Sequence, residues 1–103
     1  MIARIWHGWT TRANADAYEA LLRSEVLPGI EDRSAGFVGA YVLRDDGEEV
    51  EFVTVTLWET ADAIRAFAGE HYERAVVPPE ARALLARFDE RSRHYDVRVR
   101  PDE

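Results

Sequence analysis

The chain has 103 residues and a mass of 11.8 kDa, enough for one domain spanning residues 1–103 and little more. It contains no Cys and no Lys, which excludes disulfides, thiolate chemistry, Cys-ligated metal centres and lysine Schiff bases. A formal charge of −7 argues against nucleic acid or an anionic membrane as partner, and with no leader-like or spanning segment the expected location is the cytoplasm.

Ile2 to Thr11, rich in Ile and Trp, predicts a first strand. Asn14 then reads as an N-cap, with Asp16 in the first turn. Tyr18, Leu21, Leu22 and Val26 follow at helical spacing until Pro28-Gly29, which predicts the end of the helix. Gly36 to Arg44 predicts a second strand. Asp45-Asp46-Gly47 marks a tight turn, and Glu49 to Trp58 carries the strongest β composition in the chain. Strands two and three therefore form an antiparallel hairpin. Thr60 caps a second helix with Ile64, Phe67 and His71 on one stripe. Pro78-Pro79 opens a further helical piece with Leu84, Leu85 and Phe88 on its buried side. His94 to Arg100 alternates as a final strand closed by Pro101.

The order is β-α-β-β-α-β, an α+β ferredoxin-like arrangement with a four-stranded antiparallel sheet and helices on one face. Neither row of any strand is cleanly polar. In the first strand Ile5, His7 and Trp9 oppose Ile2 and Trp6; in the third, Val53, Val55 and Leu57 oppose Phe52 and Trp58. Both faces need cover and the chain supplies one helical layer, so a homodimer packed sheet to sheet is expected.

Three stretches carry a family resemblance. Glu25 to Val42 runs through Pro28-Gly29-Ile30 and Gly36-Phe37-Val38-Gly39, Val53 to Phe67 reads VTVTLWETADAIRAF, and the terminal strand carries Tyr95. These resemble the dimeric α+β barrel superfamily, and within it the antibiotic biosynthesis monooxygenase group. The resemblance implies a dimeric α+β barrel and a cofactor-independent monooxygenase-like activity on a small aromatic or polycyclic metabolite. Such an enzyme removes a phenolic or enolic proton in a dry pocket and needs no cofactor. A non-catalytic ligand-binding or assembly barrel, and a lactone isomerase or lyase, use the same scaffold. In haem-degrading relatives the site uses a strand-one Asn with a Trp and a His. Those positions correspond to His7, Phe67 and Val77 here, which disfavours haem degradation.

The candidate catalytic bases are His7 and His71. With the family register, His7 faces the helices in one row with Ile5 and Trp9, while His71 reaches down behind Phe67. A flat substrate would then lie between Trp9 and Phe67. Tyr72 and Arg74 are placed to orient a phenolate or carboxylate, and either His94 or Tyr95 faces the same space. No H-x-H, H-x₃-H or H-E-x-x-H spacing is present, so no metal site is expected.

Overall fold

The computed structural model describes residues 1–101. Its elements are β1 (Ile2–Thr11), α1 (Arg12–Leu21), a π-helical turn (Leu22–Val26), α2 (Leu27–Arg33), β2 (Phe37–Asp46), β3 (Glu49–Trp58), α3 (Ala61–Ala68), α4 (Pro79–Leu84), β4 (Leu85–Phe88) and β5 (Arg93–Asp96). All strand pairings are antiparallel, in the order β2-β3-β1, with β4 and β5 both on the free edge of β1. β4 pairs with Gly8–Thr10 and β5 with Ile2–Ile5. The expected final strand, His94–Arg100, is shorter and covers Arg93–Asp96, and β4, read from the sequence as helix, adds a second short piece on the same edge. With helices on one face, this is the ferredoxin-like arrangement read from the sequence.

Several local expectations are corrected. The first helix is capped by Thr11, whose Oγ1 accepts from Asn14 N–H at 3.2 Å, so Asn14 lies inside the helix. Pro28 does not end the helical region. Leu27 N–H donates to Leu22 C=O, five residues back, and Pro28 falls in the first turn of α2, where a missing N–H costs little. Thr60 caps α3 as expected, its Oγ1 accepting from Ala63 N–H. α3 stops at Gly69, which has φ +93°, so His71 lies beyond the helix and off the Phe67 stripe. Leu85 and Phe88 belong to a strand, because the helix begun at Pro79 lasts only to Leu84.

The helix-facing row of β3 is Val50, Phe52, Thr54, Thr56 and Trp58. Val50 and Phe52 bury against Ala15, Tyr18, Leu22 and Ala81, while Trp58 buries against Ile30 and Ile64. Arg4, Trp6 and Thr10 of β1 share this side, since Arg4 pairs with Thr56 and Trp6 with Thr54. Ile5, His7 and Trp9 therefore lie on the opposite, outer face, with Val53, Val55 and Leu57. That face stays open: Tyr41 is 58% exposed, Leu43 50% and Tyr95 46%. No helix of the described residues is long and apolar enough to cross a membrane.

Candidate functional site

Between the sheet and the helices lies a cavity of about 70 Å³, walled mainly by apolar side chains. Tyr18, Leu22, Val26 and Ile30 descend from the first helical region, Phe67 from α3, and Val76 and Val77 from the irregular chain before α4. Trp6, Arg4, Thr54 and Thr56 form the floor. Their presence follows from strand alternation, which puts every second residue of β1 and β3 under the helices.

Arg4 is the unexpected member. It stands between Ile2 and Trp6 in an apolar row and is only 5% exposed. Nη1 donates to Tyr72 C=O, Nη2 donates to Arg74 C=O at 3.0 Å, and Nη1 also lies 3.0 Å from His94 Nε2. Its carbon centre sits 6.0 Å from the Phe67 ring centroid. Among the described residues no carboxylate lies within ion-pairing distance of it. Burial lowers its pKa to about 10, so it remains a cation at neutral pH. Among the described residues the cavity wall thus carries one positive charge without a counter-anion.

Two further polar groups complete the floor. Thr56 Oγ1 accepts from Trp58 Nε1 at 2.9 Å and is satisfied. Thr54 Oγ1 is buried and has no hydrogen-bond partner, a group that a ligand oxygen on the cavity side would satisfy. Burial pushes the Tyr18 hydroxyl up to about 12, which keeps it protonated.

The predicted site residues divide between two faces. Phe67 lines the cavity and packs on Trp58 with centroids 5.2 Å apart. Tyr72 and Arg74 contribute their backbone carbonyls to Arg4, and the Tyr72 ring meets the His94 ring edge-on at 5.0 Å. His94 buttresses the guanidinium from behind. Desolvation, then the charge of Arg4, hold its pKa below the ordinary value, against a smaller opposing pull from Glu73. His71 is exposed and 3.9 Å from Glu73. His7 and Trp9 stack on each other, 6.1 Å between centroids, but on the outer face. There His7 Nδ1 lies 2.7 Å from Glu51 Oε2, and Arg87 covers the Trp9 ring at 4.0 Å. A substrate sandwiched between Trp9 and Phe67 is therefore excluded, because the sheet separates them.

No histidine lines the cavity. Among the described residues no group of three or more His, Cys, Asp or Glu is placed to hold a metal ion. Sequence reasoning missed Arg4, Trp6 and Thr54. The available signal was an arginine inside an otherwise apolar β row.

Residues 1–79 match the family model described as antibiotic biosynthesis monooxygenase. No functionally curated protein matches the sequence. Among solved structures, a Bacillus cereus protein described as an antibiotic biosynthesis monooxygenase is similar, with TM-score 0.64 and 16% identity, covering 96% of this chain and 92% of that one. SnoaB, a cofactor-independent oxygenase from Streptomyces nogalater, has TM-score 0.56 and 20% identity over 99% of this chain and 98% of its own. A Chloroflexus aurantiacus protein of the same description as the first has TM-score 0.57 and 18% identity, over 96% and 95%. At these identities the likeness establishes the fold.

Proposed function

The chain belongs to the antibiotic biosynthesis monooxygenase family, and from that premise we propose a cofactor-independent, monooxygenase-like protein that takes a small aromatic hydroxy compound into the cavity above Arg4. The observation that carries this reading is the buried guanidinium, without a carboxylate partner among the described residues, on a mainly apolar wall. A phenolate or enolate is the ligand charge that such a wall lacks. In a poorly hydrated site the attraction is strong, so the ligand's own hydroxyl pKa falls on binding. The resulting electron-rich ring reacts with dioxygen directly, and the protein's part is to bind, ionise and shield it. Arg4 steadies the oxyanion, Tyr72, Arg74 and His94 hold Arg4, and Phe67 faces the ring.

The cavity is small for this purpose. At about 70 Å³ it lies below the ~150 Å³ that admits benzene. A ligand must displace part of its wall, and the irregular Val76-Val77-Pro78 stretch is a piece not tied into a helix or strand. The outer sheet face, with Tyr41, Leu43 and Tyr95 exposed, supports a homodimer formed sheet to sheet.

A second reading, a binding barrel without turnover, is favoured by the lack of any imidazole on the cavity wall. Oxygen consumption with a panel of naphthols and dihydroxynaphthalenes, alongside anaerobic absorbance titration, separates the two. Catalysis predicts a red-shifted phenolate spectrum on binding and oxygen uptake, both lost in Arg4→Met. A phenolate spectrum without uptake supports the binding barrel. Neither signal with any member refutes the assignment of the cavity.

A further inference from the structure

Three arginines converge on an open groove outside the cavity: Arg74 from the irregular chain after α3, Arg82 from α4, and Arg91 from the link between β4 and β5. The backbone fixes their relative positions. Arg74 and Arg91 form an isolated antiparallel bridge, Ala75 N–H donates to Glu90 C=O at 2.8 Å, and Ser92 N–H donates to Glu73 C=O at 2.6 Å. Phe88 lines the same groove, with the Arg82 guanidinium 5.0 Å from its ring centroid.

Among the described residues none of these three arginines has a carboxylate within 4 Å. This chain has twenty acidic residues and a net charge of −7. Arg44 alone takes Asp16, Glu19 and Asp46, so acids are not scarce elsewhere on the surface. A preformed cluster of like charges repels itself and is relieved by an anion held between its members. Glu90 also lines the groove, so three positive groups face one negative group and the local excess is two.

We propose that this groove binds the phosphoryl group of a small phosphorylated molecule. A phosphate monoester near neutral pH carries close to the two negative charges that the groove lacks, and guanidinium forks match phosphate oxygens in pairs. Phe88 offers an apolar face to whatever the phosphate is attached to. A carboxylate supplies one charge and leaves the excess half met, and a long polyanion meets the negative field of the rest of the chain. The site is independent of ionisation or turnover in the cavity.

The test is an amide NMR titration of the intact protein with phenyl phosphate, inorganic phosphate and benzoate at fixed ionic strength. The proposal expects saturable shifts at residues 74–75, 82 and 90–92 with phenyl phosphate, and binding weaker by about tenfold in Arg74→Gln and in Arg91→Gln. All three arginines are exposed, so these variants should keep the parent spectrum elsewhere. Inorganic phosphate binding at the same amides with comparable affinity assigns recognition to the phosphoryl group alone and supports the proposal. Benzoate binding as tightly as phenyl phosphate overturns it. Shifts that do not saturate, or that both variants leave unchanged, also overturn it. Because the readout is binding in the absence of substrate, it stands or falls separately from oxygen uptake.

Discussion

Arg4 Nη1 lies 3.0 Å from His94 Nε2, and a guanidinium can only donate, so that ring nitrogen is the acceptor and the imidazole is neutral with its proton on Nδ1. Protonating His94 would set two donors and two positive charges against each other. The contact therefore ties the orientation of a buried cation to the protonation state of a half-buried ring.

A pH effect on stability follows. The folded-state pKa of His94 is lowered, by desolvation first and Arg4 second, so the unfolded chain takes up this proton at higher pH than the folded one. The stability from neutral His94 is fully present above its unfolded pKa of about 6.5. It is lost progressively as the pH falls from there through the folded value. Urea midpoints measured between pH 7.5 and 5 should decline in the parent, and His94→Gln should remove part of that decline. An NMR titration of the His94 ring should show a midpoint below that of a free histidine.

Truncating Arg4 should reveal how much of its burial is packing. Arg4→Ala removes the stem and leaves the Tyr72 and Arg74 carbonyls without their donor, at an expected cost of about 2–4 kcal/mol. Arg4→Met leaves the same carbonyls without a donor but keeps most of the stem and removes the desolvated charge, so it should cost about 1–2 kcal/mol less than Arg4→Ala. Denaturant unfolding of both variants checks the order. Equal losses would show that the lost guanidinium with its hydrogen bonds, and not the cavity, sets the cost.

Two glycines with positive φ should respond differently to a methyl group. At Gly36, φ +85°, a Cβ would come within 2.7 Å of the Ala63 Cβ, whereas at Gly69, φ +93°, it would meet nothing within 4 Å. Gly69→Ala should cost about 1–3 kcal/mol from backbone strain alone, since φ 93° with ψ −177° is a region essentially reserved for glycine. Gly36→Ala adds to its own backbone strain a further ~1–3 kcal/mol, because Ala63 of α3 has to move away from the turn that leads into β2. Thermal unfolding of the pair gives the comparison.

A charge on the outer face should separate the copies. Leu43 is half exposed and lies opposite Val53 in the β2–β3 register. Sedimentation of the parent is expected to show a species of twice 11.8 kDa, and Leu43→Asp should shift it to monomer while the far-ultraviolet spectrum stays unchanged. His7→Ala, which breaks the contact with Glu51, should alter dimer affinity and leave ligand binding in the cavity intact. A parent that sediments as a monomer at micromolar concentration would refute the dimer.

The sheet was legible because β-branched and aromatic runs at Ile2–Thr11 and Glu49–Trp58, with a Gly turn before the latter, admit little else. The helix-facing row was not. Period-two alternation says which residues share a face, but Ile5-His7-Trp9 and Ile2-Arg4-Trp6 each set one polar residue between two large apolar ones, so nothing local fixed which row met the helices. Leu84, Leu85 and Phe88 fit a helical stripe and a short strand equally well, and the end of α4 at Leu84 decided for the strand. Phe67, Tyr72 and His94 were singled out because aromatic and titratable residues attract notice, and of these Phe67 lines the cavity. Arg4 was overlooked because an arginine on a strand ordinarily reads as solvent-facing. Only its neighbours Ile2 and Trp6 show that here it points inward.

The π turn at Leu22–Val26 has an evolutionary consequence. A π turn holds one residue more than the α turn it replaces, so this helix contains a surplus residue whose removal leaves both flanks in phase. Arg23, Ser24 and Glu25 are exposed, while Leu22 and Ile30 on either side are buried in the core. A chain lacking Ser24 should close the turn into regular helix and keep both anchors seated. Single-residue gaps among relatives should therefore fall within this stretch, because it can change length without moving either Tyr18 or Ile30 from the wall of the cavity.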